Sequence, residues 1–196
     1  MEMFRLYQHL YLVVVASAAT TLIGITLGVM TYIFKGLRPA ILWAVDLLQT
    51  IPVLALLGFV MLIFGATSTT VIIGIVLYSL LPVVRNTFVG LESISPAIKE
   101  AARGMGMTKI QALYKVELPL ALPIIFAGVR IAVVTSIGTA VFGAVVGGGG
   151  LGFTINRAIL VQDMRTLLTA TFSLMAMAVV FDIGMAFVEK KLKTRN

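Results

Sequence analysis

EAARGMGMTKIQALYKVELPLALP, residues 100–123, is the most polar long stretch in a chain that is 60% hydrophobic. Residues typical of helix starts and helix ends occur just before this stretch and within it. Ser95-Pro96 predicts the start of a first helix, because serine can cap a helix and proline suits the first helical position. Gly104 and Gly106 can end this helix in a left-handed conformation. The sequence therefore predicts a short helix that begins just before the quoted stretch.

A second short helix is predicted after the two glycines. Thr108 and Gln111 have the spacing of a capping box, in which each side chain accepts a hydrogen bond from the backbone of the other residue. Leu118-Pro119 is predicted to end this helix, because proline interrupts helical hydrogen bonding. Because the flanking stretches are long and apolar enough to cross a membrane, the two helices would form a helix–turn–helix outside that membrane.

One face of the first helix is apolar and made largely of small residues at helical spacing: Ile98, Ala101, Ala102 and Met105. Such a face gives a partner protein close access to the helix backbone. An amphipathic segment resting on the membrane surface is an alternative, helped by four basic residues: Lys99, Arg103, Lys109 and Lys115. The residues alone leave both interpretations open. A DNA-binding helix–turn–helix is disfavoured, because the bilayer would block its approach to a duplex.

The composition is that of an integral membrane protein. Mean hydropathy is +1.08, and 12% of the 196 residues are charged, against roughly 25% in soluble domains. Because about 20 apolar residues cross a bilayer, the sequence predicts a single all-α membrane domain over residues 1–196. Its five predicted spans are residues 10–34, 40–64, 71–90, 120–146 and 167–188, with a long loop at 91–118. The chain has no cysteine, which excludes disulfides and thiolate metal sites.

The basic residues indicate the orientation of the spans, because lysine and arginine are in excess on the cytoplasmic side of a membrane protein. With the loop at 91–118 in the cytoplasm, ten basic residues lie on that side: Lys35, Arg38, Lys99, Arg103, Lys109, Lys115, Lys190, Lys191, Lys193 and Arg195. Three lie on the opposite side: Arg5, Arg157 and Arg165. This distribution predicts an outside N-terminus and a cytoplasmic C-terminus. It also explains the net charge of +7 without a nucleic-acid partner.

Four ionisable residues fall inside the predicted spans: Asp46, Arg85, Arg130 and Asp182. Charges in hydrocarbon are costly unless they are paired or face water. Asp46, Arg85 and Asp182 are predicted to lie in the cytoplasmic half, near enough to pair, with snorkelling to the interface as the alternative for the last two. Arg130 is predicted to lie deeper and to need a partner or a wet cavity.

Other span residues are candidates for a translocation path. Gln49, Thr50 and Pro52 interrupt the second span, where proline kinks a helix and the freed carbonyls can line a cavity. A packing kink is the alternative. The fourth span carries a stripe of small residues: Gly128, Ala132, Thr135, Thr139 and Gly143. Such a stripe can line a pore or a dimer interface, or it can pack within the chain; we favour the pore or dimer interface. Gly24 and Gly28 on the first span predict simple helix packing.

The remaining candidates carry weaker signals. Trp43, Tyr78 and Phe142 could contact a quaternary ammonium through cation–π interactions, although most membrane aromatics pack or anchor. His9, at the outer end of the first span, is predicted to be interfacial. Gly147–Gly152 fits the dinucleotide pattern GxGxxG, but it follows a membrane span and not a strand. A glycine hinge, or a close backbone approach at a dimer axis, is the favoured interpretation there.

The quoted stretch resembles the EAA signature of ABC-importer permeases. Glu100-Ala101-Ala102 is followed after three residues by Gly106, then after nine residues by Val116, and then by Leu118-Pro119. The family pattern has isoleucine where this chain has Val116. The resemblance implies a type I ABC importer permease (MetI-like) fold, in which this loop forms coupling helices that dock in a cleft of an ATPase subunit. It assigns the coupling role to Glu100, Ala101, Ala102, Gly106, Leu118 and Pro119.

Four further stretches are similar to permeases of osmoprotectant uptake systems, which import glycine betaine, carnitine and choline: LLQTIPVLALLGF (47–59), RNTFVGL (85–91), GMGMTKIQALYKVELPLALP (104–123) and GTAVFGAVVGGGGLG (138–152). The resemblance implies a second permease subunit, cytoplasmic ABC ATPases that hold ATP and magnesium, and an extracellular or periplasmic binding protein. It places the protein in the bacterial plasma (inner) membrane. No GxxxxGK[ST] sequence occurs, so this chain is not expected to bind ATP through a P-loop, and the ATPase is expected to be another polypeptide. No catalytic residue, cofactor or metal is expected in this chain.

The predicted path or gate residues are Asp46, Gln49, Thr50, Pro52, Arg85, Arg130, Thr135 and Thr139. An importer for another small solute, such as methionine, shares the fold and remains an alternative. A secondary carrier driven by ion gradients through Asp46, Arg85 and Asp182 is the rival from another class. A membrane-embedded enzyme lacks support, because the chain has one histidine and no cysteine.

Overall fold

The computed structural model describes residues 2–193, which form helices and no β-strand. Arg195, one of the basic residues predicted to be cytoplasmic, lies outside the described residues. The first half of the chain forms α1 (Glu2–Ile33), α2 (Arg38–Thr50), α3 (Val53–Phe64) and α4 (Ser68–Glu92). The second half forms α5 (Pro96–Gly104), α6 (Lys109–Ala112), a π-helical turn (Leu113–Glu117), α7 (Leu118–Phe142), a 3-10 turn (Gly143–Val146), α8 (Gly150–Leu160) and α9 (Met164–Lys193).

Four helical segments within residues 2–193 are long and apolar enough to cross a membrane: Met3–Ile33, Ser68–Glu92, Lys109–Val146 and Met164–Leu192. They overlap the predicted spans at 10–34, 71–90, 120–146 and 167–188. The predicted span at 40–64 corresponds to α2 and α3. These two helices pass the same test as a pair, and the chain bends by 103° between them. The all-α prediction is confirmed, with four single spans and one broken pair.

The break between α2 and α3 follows from Ile51-Pro52. Proline lacks a backbone N–H and disfavours the helical conformation in the residue before it. Ile51 is accordingly extended, with φ −69° and ψ 128°, and Pro52 has φ −53° and ψ 131°. Because two consecutive residues leave the helical conformation, the chain turns sharply. The predicted interruption of the second span at Pro52 is present, as a bend of 103° between α2 and α3.

Close contacts join α1, α4 and α7 at the centre of the fold. A Cβ atom added at Gly24 of α1 would lie 2.7 Å from Val83 Cβ on α4. A Cβ atom added at Gly128 of α7 would lie 2.5 Å from the Pro82 carbonyl oxygen, also on α4. The missing side chains therefore let the three backbones approach, as small residues do in membrane proteins. We refer to α1, α4 and α7 as the central block.

The predicted small-residue stripe on α7 mostly packs within the chain. Gly128 and Gly143 lie against α4, and Ala132 and Thr139 are buried. Thr135 alone among the five is half-buried. The interpretation of the stripe as a pore or dimer lining was therefore wrong for its four buried members, because they pack inside the chain, with Gly128, Ala132 and Gly143 against α4.

We expect Gly128→Ala to destabilise the fold by about 1–3 kcal/mol, because the added methyl group forces the α4 backbone away. Gly138→Ala is the matched control on the same helix, since a Cβ atom there meets nothing within 4 Å. Thermal unfolding of the detergent-solubilised chain measures both. Equal melting temperatures for the two variants would contradict the close approach of α7 and α4.

The glycine run before α8 lets the chain fold back over α1. Gly147, Gly149 and Gly150 have φ values of +82°, +70° and +68°, which favour glycine. The Gly150 N–H donates to Gln8 Oε1 at 3.0 Å. His9 is fully buried beside it, with Nε2 3.2 Å from the Ile137 carbonyl oxygen. The interfacial prediction for His9 was wrong, because this run and α7 cover the ring.

Asp163 precedes α9 and caps its first turn. Its carboxylate accepts hydrogen bonds from the Thr166 N–H at 3.1 Å and from the Thr166 hydroxyl at 2.6 Å. These donors hold the pKa of the Asp163 carboxyl below its usual range. The start of α9 is thus fixed by a capping interaction, as helix N-termini commonly are.

Candidate functional site

The helix α5 begins and ends where the sequence predicted. Its first residue is Pro96, although the Ser95 side chain makes no capping hydrogen bond. At its end, Gly106 is left-handed with φ +80°. The Gly106 N–H donates to the Arg103 carbonyl at 2.9 Å, and the Met107 N–H donates to the Ala102 carbonyl at 3.2 Å. This pair of bonds is a Schellman motif, which fixes the direction in which the chain leaves α5.

The predicted capping box at Thr108 and Gln111 is present. The Gln111 N–H donates to Thr108 Oγ1 at 3.2 Å, and the Thr108 N–H donates to Gln111 Oε1 at 3.0 Å. The predicted helix end at Leu118-Pro119 is absent, because α6 continues through the π-helical turn into α7. A π turn is wider than an α turn, which gives the ring of Pro119 room within the first turn of α7.

Several apolar side chains of the α5–α6 loop are exposed. Met105, Ile110 and Tyr114 are 69%, 70% and 65% exposed, and Ile98 and Ala101 are exposed as well. We call these five residues the loop surface. Glu100 and Gly106 are also exposed. Ala102 is only 1% exposed, so it does not share the exposed face of Ile98, Ala101 and Met105. Its role in coupling stays a prediction.

An ion pair joins α2 to α4. Arg85 Nη2 lies 2.9 Å from Asp46 Oδ1 and 2.7 Å from Asp46 Oδ2. The two side chains are 56% and 37% exposed on the surface of the chain, respectively. An exposed ion pair in an apolar span needs water or another protein surface beside it. The predicted contact between Asp46 and Arg85 is thus present.

A second ionic cluster joins α7 to α9. Arg130 Nε and Nη2 donate to the two carboxylate oxygens of Asp182 at 2.8 Å and 2.9 Å, and Nη1 donates to Glu189 Oε2 at 3.1 Å. A cavity of about 420 Å³ is lined in part by this cluster and by Thr135. Arg130 therefore has both carboxylate partners and a cavity beside it. The expected pairing of Asp182 with Asp46 and Arg85 was wrong, because Asp182 lies on α9 against Arg130.

The other path candidates lie apart. Thr50 and Pro52 are exposed at the α2–α3 break, beside half-buried Gln49, and the Thr50 hydroxyl donates to the Leu47 carbonyl at 2.8 Å. Thr139 is buried in the interior of the chain. The aromatic candidates Trp43, Tyr78 and Phe142 belong to three different helices, α2, α4 and α7.

A sequence profile of the family described as "Binding-protein-dependent transport system inner membrane component" matches residues 20–194. The chain belongs to this family. The permease is 42% identical, over 181 residues, to the osmoprotectant import permease protein OsmW of Salmonella typhimurium, covering 90% of this chain and 84% of that protein. It is 40% identical to the glycine betaine/carnitine/choline transport system permease protein OpuCD of Bacillus subtilis, covering 95% of this chain and 82% of that protein.

A solved structure has the same fold as the permease. The inward-facing MetNI methionine ABC transporter contains a chain that superposes with a TM-score of 0.89 at 23% sequence identity, covering 98% of this chain and 96% of that chain. The permease therefore has the type I ABC importer fold. Its family makes it a multi-pass inner-membrane transport component.

Two polar residues of the permease at the base of the loop were not identified from the sequence. The Tyr32 hydroxyl donates to Glu117 Oε2 at 2.6 Å, joining the end of α1 to the π turn. Glu117 is 8% exposed. Glu117 lies between Val116 and Leu118 at the entrance to an apolar span. A carboxylate in that position was the signal that could have indicated a buried polar contact. Tyr32, 85 residues away in the chain, gave no signal of its partner.

Proposed function

We propose that this permease is the membrane subunit of an ABC importer for quaternary-amine osmoprotectants, a class that includes glycine betaine, carnitine and choline. The loop surface is the observation that carries the ATP-driven part of this proposal. Its apolar side chains are exposed in the loop predicted at 91–118, where a Schellman motif fixes the end of α5 and a capping box fixes the start of α6. Such a rigid apolar surface suits a protein partner, because exposed apolar patches mark interaction sites.

The substrate class is supported by the relatives. OsmW of Salmonella typhimurium and OpuCD of Bacillus subtilis are named as permeases for osmoprotectants and for glycine betaine, carnitine and choline. Both match nearly the whole of this chain at 40% identity or more. The similarity to the methionine transporter, at 23% identity, supports the fold and not a methionine substrate.

The assembly would contain two permease subunits, identical or closely related, around a central path. Cytoplasmic ATPases would dock on the loop surface and hold ATP and magnesium, while this chain has no ATPase site of its own. An extracellular or periplasmic binding protein would deliver the solute. The excess of basic residues on the same predicted side of the membrane as the loop supports a cytoplasmic loop and C-terminus and an outside N-terminus.

The chain would contribute movement and no chemistry. Closure of the ATPases on ATP would displace α5, and the spans would switch from inward-open to outward-open. The Asp46–Arg85 pair would act at the cytoplasmic mouth, where it links α2 to the central block. The exposed break at Thr50 and Pro52 follows the end of α2, the helix that carries Asp46, and would border the path.

The test is solute-stimulated ATP hydrolysis by the assembled complex in proteoliposomes that contain the permease, its ATPase and its binding protein. Glycine betaine, carnitine or choline should stimulate hydrolysis and methionine should not. Stimulation by methionine alone would establish the amino-acid importer instead. Uptake that persists without any ATPase would establish an ion-gradient carrier.

A further inference from the structure

The helix α5 contacts the rest of the chain along one narrow face. Lys99 is half-buried and Ala102 is buried, and these residues lie three positions apart, on one side of the helix. The other residues of α5, from Pro96 to Gly104, are exposed. The attachment of α5 to the central block therefore depends strongly on what Lys99 contacts.

Lys99 contacts both α4 and α1. Its Nζ atom donates to the Leu91 carbonyl oxygen at 3.1 Å. Leu91 lies in the last turn of α4, where carbonyls lack helical partners and carry the negative end of the helix dipole. The same ammonium lies 5.1 Å from the centre of the Tyr32 ring, within cation–π range. One side chain of α5 thus holds the ends of two helices of the central block.

Tyr32 extends this connection to α7. Its hydroxyl donates to Glu117, whose buried carboxylate needs a hydrogen-bonding partner. Glu117 is the last residue of the π turn that leads directly into α7. An apolar cluster that includes Leu91, Leu113 and Ile125 packs against Tyr32, so the ring has a fixed position. Three polar side chains in succession therefore link α5 to the ends of α4, α1 and α7.

The backbone alone does not make this connection. The main chain leads from α4 into α5 and from α6 into α7, but α1 has no direct covalent link to the loop. We propose that Lys99, Tyr32 and Glu117 form a rigid joint that makes α5 move together with the whole central block, α1 included. This inference rests on the proposed coupling of the loop to an ATPase. Without the joint, displacement of α5 would bend the loop and leave the spans behind.

Tyr32→Phe tests the joint, because it removes the hydroxyl and keeps the ring. We expect the variant complex to assemble and hydrolyse ATP, while the solute taken up per ATP falls by at least about fivefold, through loss of a hydrogen bond to a charged group. Tyr7→Phe is the matched control, since Tyr7 is an exposed tyrosine near the other end of α1. The measurement is uptake and ATP hydrolysis in the same proteoliposomes. A purely structural role would change assembly or melting temperature and leave uptake per ATP unchanged, which would overturn the joint.

A second variant covers the case in which Tyr32→Phe does not assemble. Lys99→Met keeps the apolar stem of the side chain and removes the ammonium, so the same loss of uptake per ATP is expected. Unchanged uptake per ATP in Lys99→Met would overturn the proposal. This outcome can be distinguished from failure of the proposed function. If the proposed function were wrong, the wild-type complex itself would show no ATP-driven uptake.

Discussion

Gly106→Leu is expected to abolish transport while expression and membrane insertion remain normal. Gly106 has φ +80°, a conformation that costs a residue with a side chain about 1–2 kcal/mol. The residue is exposed, and an added Cβ atom would meet nothing within 4 Å of the chain itself. Leucine would therefore redirect the exit from α5 and obstruct a docked partner, without disturbing the interior. Uptake by the assembled complex and co-purification with its ATPase measure the effect.

Gly104→Leu provides the control for this experiment. Gly104 is also exposed and free of neighbours, but it is helical and tolerates a side chain without backbone strain. We expect it to retain more uptake than Gly106→Leu. Normal transport and normal ATPase co-purification by Gly106→Leu would contradict the docking of an ATPase on this loop.

Breaking the Asp46–Arg85 pair is expected to have the second large effect. A single charge left in hydrocarbon costs about 2.5–3.5 kcal/mol on insertion scales. Asp46→Asn and Arg85→Gln should each disturb the coupling of ATP hydrolysis to uptake, because each strands the other charge. The double variant should recover part of the loss, with an interaction energy of about 1–3 kcal/mol in the double-mutant cycle.

A matched pair elsewhere on the same two helices supplies the comparison. Arg38 of α2 and Glu92 of α4 form an ion pair with an Nη1–Oε1 distance of 3.7 Å, at the end of the span nearest the loop. At this distance the pair is longer than a charge-assisted hydrogen bond and contributes little, so its cycle should be close to additive. Strict additivity for Asp46 and Arg85 as well would exclude their pairing in the working transporter.

Local chemistry made the loop predictable from the sequence. The helix start at Pro96, the left-handed residue Gly106 and the capping box of Thr108 and Gln111 each depend on residues within a few positions of one another. The continuation through Pro119 was not predictable in the same way. It depends on a π turn, and nothing in the pattern of apolar residues distinguishes that turn from a helix end.

Features that depend on distant residues could not be predicted. Arg130 needed a partner, but its choice of Asp182 depends on how α9 packs against α7, 52 residues later in the chain. Ala102 was indistinguishable from Ala101 by residue type, and only the position of α5 relative to the chain buries one and exposes the other. Pro52 indicated a disturbed helix, whereas the angle of 103° depends on the extended conformation of two consecutive residues.

Site-directed cross-linking from the loop tests the central claim most directly. The chain has no cysteine, so Ala101→Cys and Ala102→Cys each introduce a single thiol. A thiol-reactive photo-cross-linker on the exposed position 101 should capture the co-purified ATPase, whereas the buried position 102 should label poorly and capture little. Absence of any cross-link from position 101 in a complex that transports solute with ATP would contradict the account.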